Sequence, residues 1–491
     1  MNIKNIMLLE PFNSPVDVLT KEKKNIKNDK QKALLAYAVG LIYKKHRIRL
    51  SSVHSIPLGL AQLSSIVKKE GLATEHIPFI LDSTKRYIND EEIENRISSY
   101  DYDTVWMSVG SPEAAYETIR YAKIIKGINN DTPIMLGGVL PSMYPDFFLK
   151  NDEINFLIRG SAEIAVQQYI KNNSETNFSN IQGLCYRTNS GKINISQLFA
   201  LEPDLQKIPP YDLEGLEIDA YMKNNRFCNL QTSRGCPYNC PFCSHAKFWG
   251  LKPKFRPINH VRMEMRILED HGCKAGYLVD SAFTLNKTHM KKFVEAYEKE
   301  GLSIKLAFET RADHFSEEEA ALATRMNTLL IAFGGESGSP RVLNQLRGKD
   351  HGDGHQHVKN MFKAVKSAKK YDILCSSTWV LGLPGENKET LKETKKVILE
   401  LCAAGMDLAD IRILQIFPGT DYFNNPKKWG LKIIEKEISN QENPWDKVAY
   451  HETEELNAKE IIIGAVDIRD ALFQHYLSRS KRKHKQNKRK S

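Results

Sequence analysis

Short apolar runs alternate with amphipathic helical stretches along most of this chain, and no other feature limits its folds so strongly. A strand-length run followed by a helical pattern makes a βαβ unit and lays successive strands parallel in one sheet. Ile3–Leu9, Thr104–Val109, Pro133–Leu136 and Ile154–Ile158 are runs of this kind. Pro57–Glu70 and Glu113–Lys126 carry helical periodicity between them, and Gly71 is a natural stop for the first. A second series follows, with strands expected at Gly276–Val279, Ile304–Phe308, Thr328–Phe333, Cys375–Leu381 and Asp410–Ile416. Five or six such units suit a partial barrel better than a complete eight-unit one. Ligands of parallel sheets sit at the carboxyl ends of the strands.

The expected organisation is α/β throughout. Residues 1–174 form a doubly wound domain, with a lysine-rich insertion at Lys21–Lys32. Residues 175–225 are a polar, Asn/Ser-rich connector with a hairpin near Tyr186–Ile195, and Pro209-Pro210 disfavours a helix there. Residues 226–431 form the partial barrel, 432–477 a small helical region and 478–491 a basic disordered tail.

The net charge of +10 is not spread over the molecule. Eight Lys or Arg and no acid lie between Arg479 and Ser491, so the rest of the chain carries only +2. Such a tail suits non-specific contact with RNA or anionic lipid, or simply a solvated end, which is the expectation here. No apolar run approaches the ~20 residues of a membrane helix, and the start is too short and polar-flanked for a signal peptide. A cytoplasmic location is expected.

Cytosolic thiols stay reduced, so eight cysteines do not imply a disulfide framework. Cys185, Cys228, Cys273, Cys375 and Cys402 are scattered and read as small buried hydrophobes. The other three stand together in Gly235-Cys-Pro-Tyr-Asn-Cys-Pro-Phe-Cys243. Three thiolates on one short loop can each bind one iron of a cubane cluster, leaving the fourth iron open to a chelating small molecule. Zinc is the rival, with His245 as a fourth ligand.

This CxxxCxxC loop resembles that of the radical SAM superfamily, and later segments resemble the family in the same order. They are Asp280-Ser-Ala-Phe283, Thr310-Arg311-Ala312-Asp313, Phe333-Gly-Gly-Glu-Ser-Gly338, Leu381-Gly-Leu-Pro-Gly-Glu386 and Phe417-Pro-Gly-Thr-Asp421. The resemblance implies a partial TIM barrel whose first strand is Asn229–Thr232, with a [4Fe–4S] cluster on Cys236, Cys240 and Cys243. It implies S-adenosylmethionine (SAM) at the open iron, cleaved to a 5′-deoxyadenosyl radical. Phe242, Arg311, Gly334, Gly335, Glu336 and Ser337 are the implied SAM-binding residues. An external flavodoxin or ferredoxin would supply the electron.

The first stretch resembles the Rossmann-like (flavodoxin-like) cobalamin-binding domain that precedes the barrel in one branch of that superfamily. Pro57-Leu-Gly-Leu-Ala61, Asp103–Ser111, Met135-Leu-Gly-Gly-Val-Leu-Pro-Ser142 and Arg159-Gly-Ser-Ala-Glu163 carry the likeness. Ser108, Ser111, Gly137, Gly138 and Gly160 are the implied cobalamin contacts. The chain departs from the pattern in three places. No Asp-x-His-x-x-Gly follows the first strand, Gly160-Ser-Ala-Glu163 replaces a Gly-Glu-Gly-Glu-like sequence, and an Arg347–His357 segment intervenes after Gly338. His351, His355 and His357 there read as a solvated loop rather than a metal site.

A cobalamin-dependent radical SAM methyltransferase acting on an unactivated carbon of a small molecule or peptide is the implied function. A radical cyclisation or rearrangement uses the same domains. A tRNA-modifying enzyme has only the basic tail behind it, and its methylthiotransferase form needs N-terminal cysteines, whereas none precedes Cys185.

Overall fold

The computed structural model of the chain describes residues 3–9, 56–77, 89–110, 113–172, 178–188, 190–225, 227–347, 353–434 and 450–488. Lys21–Lys32, Ser111 and His351 lie outside the described residues.

The first sheet has seven strands: β1 (Asn5–Leu9), β2 (Ala73–Ile77), β3 (Thr104–Ser108), β4 (Ile134–Gly137), β5 (Phe156–Ile158), β6 (Leu184–Arg187) and β7 (Ile193–Asn194). Their order is β2-β1-β3-β4-β5-β6-β7. The first five are parallel, in the flavodoxin-like order, with its switch point between β1 and β3. β6 and β7 then add antiparallel. The hairpin expected in the connector therefore extends the first sheet. Both faces of the parallel strands are buried, which is why they read as unbroken apolar runs. Ile6, Leu8, Trp106 and Met135 face one core, while Met7, Val105, Met107 and Leu136 face the other.

The second sheet holds six parallel strands in an open barrel. They are β8 (Phe227–Leu230), β11 (Ala275–Leu278), β12 (Lys305–Thr310), β13 (Thr328–Glu336), β14 (Leu374–Leu381) and β15 (Leu408–Ile413), side by side in chain order. Between β8 and β11 a small antiparallel pair, β9 (Ser233–Arg234) and β10 (Lys254–Phe255), closes a loop. β8 lies two residues earlier than the strand expected at Asn229–Thr232. Thr232 instead turns away to bond Asp280.

The connector is far more than a linker. Its Tyr211, Leu213, Leu216, Ile218, Tyr221 and Met222 are buried in one apolar core that reaches from the first sheet to the barrel. Burial on both sides joins the two domains at about 25 cal/mol per Å² of apolar surface removed from water. The scattered cysteines are buried as expected.

After β15 come an antiparallel pair, β16 (Leu431–Ile433) and β17 (His451–Thr453), and the helix Ala458–Lys488. Ile461, Ala465, Ile468, Leu472 and Tyr476 of this helix join the barrel core. The helix runs on through the basic stretch to Lys488, where a disordered tail was expected. Lys, Arg and Gln are good helix formers, and the stretch holds neither Gly nor Pro. Among the described residues no helix is long and apolar enough to cross a membrane.

His76 pins β2 to the connector. Its Nδ1 pairs with the Leu8 carbonyl at 3.1 Å and its Nε2 with the Tyr221 hydroxyl at 2.9 Å. Burial lowers its pKa to about 4, so folding favours the neutral ring. Its stabilising effect is complete above the unfolded pKa of about 6.5 and is lost as pH falls toward 4, up to about 3 kcal/mol. Chemical denaturation of wild type and His76→Gln between pH 7 and pH 4 checks this; the pH-dependent loss should be smaller in the variant by that amount.

Candidate functional site

The cysteine loop hangs from the first barrel strand and is tied down on every side. Gly235 adopts φ of 92°, and a methyl group there would sit 2.6 Å from the Lys252 carbonyl oxygen, so the turn requires glycine. The Cys236 N–H donates to the Gly250 carbonyl and the Cys243 N–H to that of Cys240, both at 3.1 Å. A short helix, His245–Trp249, fills the loop. Asp280, after β11, accepts from the Thr232 N–H (2.8 Å), the Thr232 hydroxyl (2.6 Å) and the Ser233 hydroxyl (2.5 Å). Tyr238 reaches His314 after β12 at 2.5 Å, and the Tyr422 N–H after β15 donates to Pro241 at 3.2 Å. The loop thus spans the barrel mouth.

Cys236, Cys240 and Cys243 are half-buried. Burial raises all three thiols, Cys240 to about 12, with Glu336 and Cys243 adding to the effect there. Arg311 opposes the rise at Cys236 and Cys240. Thiols held protonated by their surroundings ionise when a soft cation binds, releasing protons. Among the described residues no group of three or more His, Cys, Asp or Glu side chains is placed to hold a single ion. The donor set fits a cluster that takes one thiolate per iron.

The turn after β13 lies beside the loop. Gly334 and Glu336 point toward the lumen, and Glu336 has φ of 59°. Gly335 packs on Trp379, where a methyl group would lie 2.8 Å from the ring. Ser337 is fully buried on the helix side, bonding Thr394 at 3.1 Å and accepting from the Ser339 N–H at 3.2 Å. It braces the turn from behind rather than lining the mouth. His357 is buried and bonds the Gly335 carbonyl at 3.1 Å, so it too braces the turn, whereas a solvated loop was expected; His355 is exposed. Phe242 packs near Tyr422, ring centres 6.5 Å apart. Arg311 forks onto Asp313 at 2.5 and 2.9 Å and stacks over Tyr238 at 3.8 Å.

The lumen below is polar. Along the barrel strands, buried apolar residues face the outer helices, and Tyr277, Glu309, Asp410 and Arg412 alternate with them. The Tyr277 hydroxyl bonds Glu309, and Arg412 pairs with Asp410 at 2.6 Å. Arg412 also acts electrostatically on Tyr277, although three strands separate β15 from β11 in the sheet. Barrel curvature brings them together.

The carboxyl edge of the first sheet faces this mouth. Ser108, Gly110, Gly137, Gly138 and Gly160 gather there at the ends of β3, β4 and β5. A methyl group at Gly110 or Gly137 would meet nothing within 4 Å, while at Gly138, φ 104°, it would strike the Val109 carbonyl at 2.6 Å. The edge is open at Gly110 and Gly137, which leaves room for a flat macrocycle there, while at Gly160 a methyl group would lie 3.1 Å from Phe199. Ser142 locks the edge, donating to Gly138 at 2.7 Å and accepting the Gly160 N–H at 2.8 Å. The edge meets the barrel directly: Tyr144 packs edge-on to Phe423, and Met143 lies over Gly419. A buried ion pair at 2.5 Å joins Glu163 of the first domain to Arg234 of the cysteine loop. Ser142 and Glu163 lie in the segments that resemble the cobalamin-binding domain, but the sequence assigns neither them nor Arg234 a role, since the pairs Ser142–Gly160 and Glu163–Arg234 are 18 and 71 residues apart.

Comparison with known proteins matches the Radical SAM superfamily over residues 230–398 and the B12 binding domain over residues 51–170. An uncharacterized methyltransferase of Pyrococcus horikoshii is 29% identical over 74% of this chain and 77% of its own length. The anaerobic magnesium-protoporphyrin IX monomethyl ester cyclase of Rubrivivax gelatinosus is 25% identical over 75% of this chain; the match spans 65% of that enzyme. The radical S-adenosylmethionine methyltransferase TsrM of Kitasatospora setae, solved with cobalamin and a [4Fe–4S] cluster, shares the fold. Its TM-score is 0.67 at 17% identity, over 90% of this chain and 84% of that one.

The packing of Gly335 gives a direct test of the β13 turn. Gly335→Ala should destabilise the fold by about 1–3 kcal/mol through overpacking against Trp379. It should also weaken SAM binding at least tenfold, read by equilibrium dialysis of the reconstituted protein.

Proposed function

Because the chain belongs to the radical SAM superfamily and carries a B12-binding domain ahead of its barrel, we propose that it is a cobalamin-dependent methyltransferase acting on an unactivated carbon of a small-molecule or peptide substrate. The observation that carries this reading is the meeting of two sites. The open glycine edge of the first sheet and the three-cysteine loop face one barrel mouth, bridged by the Glu163–Arg234 pair.

Cys236, Cys240 and Cys243 would hold the [4Fe–4S] cluster, and Ser108, Gly137, Gly138 and Gly160 would cradle cobalamin. When bound, the cluster supplies the electron that cleaves SAM, and cobalamin carries the methyl group. Phe242 offers an aromatic face for the adenine, and Glu336 an acceptor for ribose hydroxyls or the ammonium group. Gly334 and Gly335 let the backbone approach. Arg311 holds positive charge beside the thiolates. The polar lumen supports a substrate with hydrogen-bonding or charged groups, oriented by Tyr277, Glu309, Asp410 and Arg412. An external carrier such as flavodoxin or ferredoxin would supply the reducing electron. The likeness to the cyclase supports radical cyclisation as a second reading.

Anaerobic reconstitution separates these readings. Wild type should hold about four irons per chain, and Cys236→Ala, Cys240→Ala and Cys243→Ala should each lose the cluster and 5′-deoxyadenosine formation. Labelled methyl should move from SAM to methylcobalamin. Absence of bound corrinoid would sink the methyl-transfer reading.

A further inference from the structure

Glu163 belongs to both sides of the mouth. It lies in the first turn of the helix Ala162–Lys171, three residues beyond Gly160 on the open edge of the first sheet. Its side chain is 6% exposed, and that of its partner Arg234 is 3% exposed. Its Oε1 accepts from Arg234, whereas its Oε2 is buried without a hydrogen-bond partner. Arg234 stands two residues before Cys236, bonds Gln231 through Nε at 3.1 Å and stacks over Trp249 at 4.7 Å. Trp249 ends the helix that fills the cysteine loop.

A buried carboxylate oxygen without a donor is a costly acceptor, and any donor brought to it is held firmly. Cobalamin carries a ring of primary amides, whose N–H groups are donors of that kind. We propose that Glu163 is a positioning residue that couples the two cofactor sites. One oxygen takes an amide N–H of the corrinoid, and the other holds Arg234 and through it the start of the cluster loop. Occupancy on one side changes the hold on the other, so the two bindings are linked. This rests on the reading of the first-sheet edge as a cobalamin site.

By linkage, the coupling is equal in both directions and can be read from either ligand. The test is anaerobic titration of the reconstituted full chain with hydroxocobalamin, with and without SAM, followed by tryptophan fluorescence. In wild type the hydroxocobalamin Kd should change about fivefold or more when SAM is present. In Glu163→Gln the affinity should fall and the SAM-dependent factor should drop to about one, while the electron paramagnetic resonance spectrum of the reduced cluster stops responding to hydroxocobalamin. If that variant does not fold, Arg234→Lys keeps the buried charge but lacks the guanidinium fork. Its coupling should fall below about twofold. Coupling absent in wild type, or as strong as wild type in either variant, overturns the inference. Failure of wild type to bind hydroxocobalamin at all overturns the cobalamin reading beneath it.

Discussion

The cysteine loop cannot hold its own shape, and the rest of the site depends on the buried polar network that holds it. Arg256 forks onto Glu264 at 2.5 and 2.8 Å and stacks on Tyr211 at 3.7 Å. The Tyr211 N–H donates to Glu264, and its hydroxyl donates to Gln231, both at 2.8 Å. Gln231 accepts from Arg234, and Arg234 pairs with Glu163. One chain of bonds thus runs from a barrel helix through the connector and the cluster loop to the first domain. Buried ions are expensive unless paired, and each arginine here has its carboxylate. Such a network specifies one arrangement more than it adds net stability.

That arrangement is reinforced by packing. The connector contributes its apolar side chains to a core shared by both sheets. A flexible linker would let the two mouths drift apart. Here the connector is folded against both, and His76 and Tyr221 tie its helix, Ile218–Asn225, which begins beyond Pro209-Pro210, to the first sheet. The two candidate cofactor sites are therefore parts of one frame.

How much of this is legible in the sequence depends on the range over which each residue acts. The three cysteines and the ordered turns after the strands are legible because their chemistry demands particular residues at short spacing. The strand alternation gives both sheets, since period and burial agree locally. The first sheet's extension through β6 and β7 is not legible, because nothing in a polar hairpin states which sheet it joins. Glu163 and Arg234 find each other across 71 positions, and although Glu163 closes the Gly160–Glu163 segment, nothing local to either residue names the other as its partner. Ser337, expected among the SAM-binding residues, is instead buried against Thr394 in the structure. Counting the period of two from Phe333 and Gly335 places it with them on the helix side. The helical tail was obscured by its charge, which says nothing against helix.

The central claim is that cluster and corrinoid, once bound, face each other across one rigid mouth. The most direct measurement is the magnetic interaction between cob(II)alamin and the reduced cluster in the doubly loaded protein, by pulsed electron paramagnetic resonance. The account predicts a single, well-defined dipolar coupling. Two non-interacting spins, or a broad spread of separations, would contradict it.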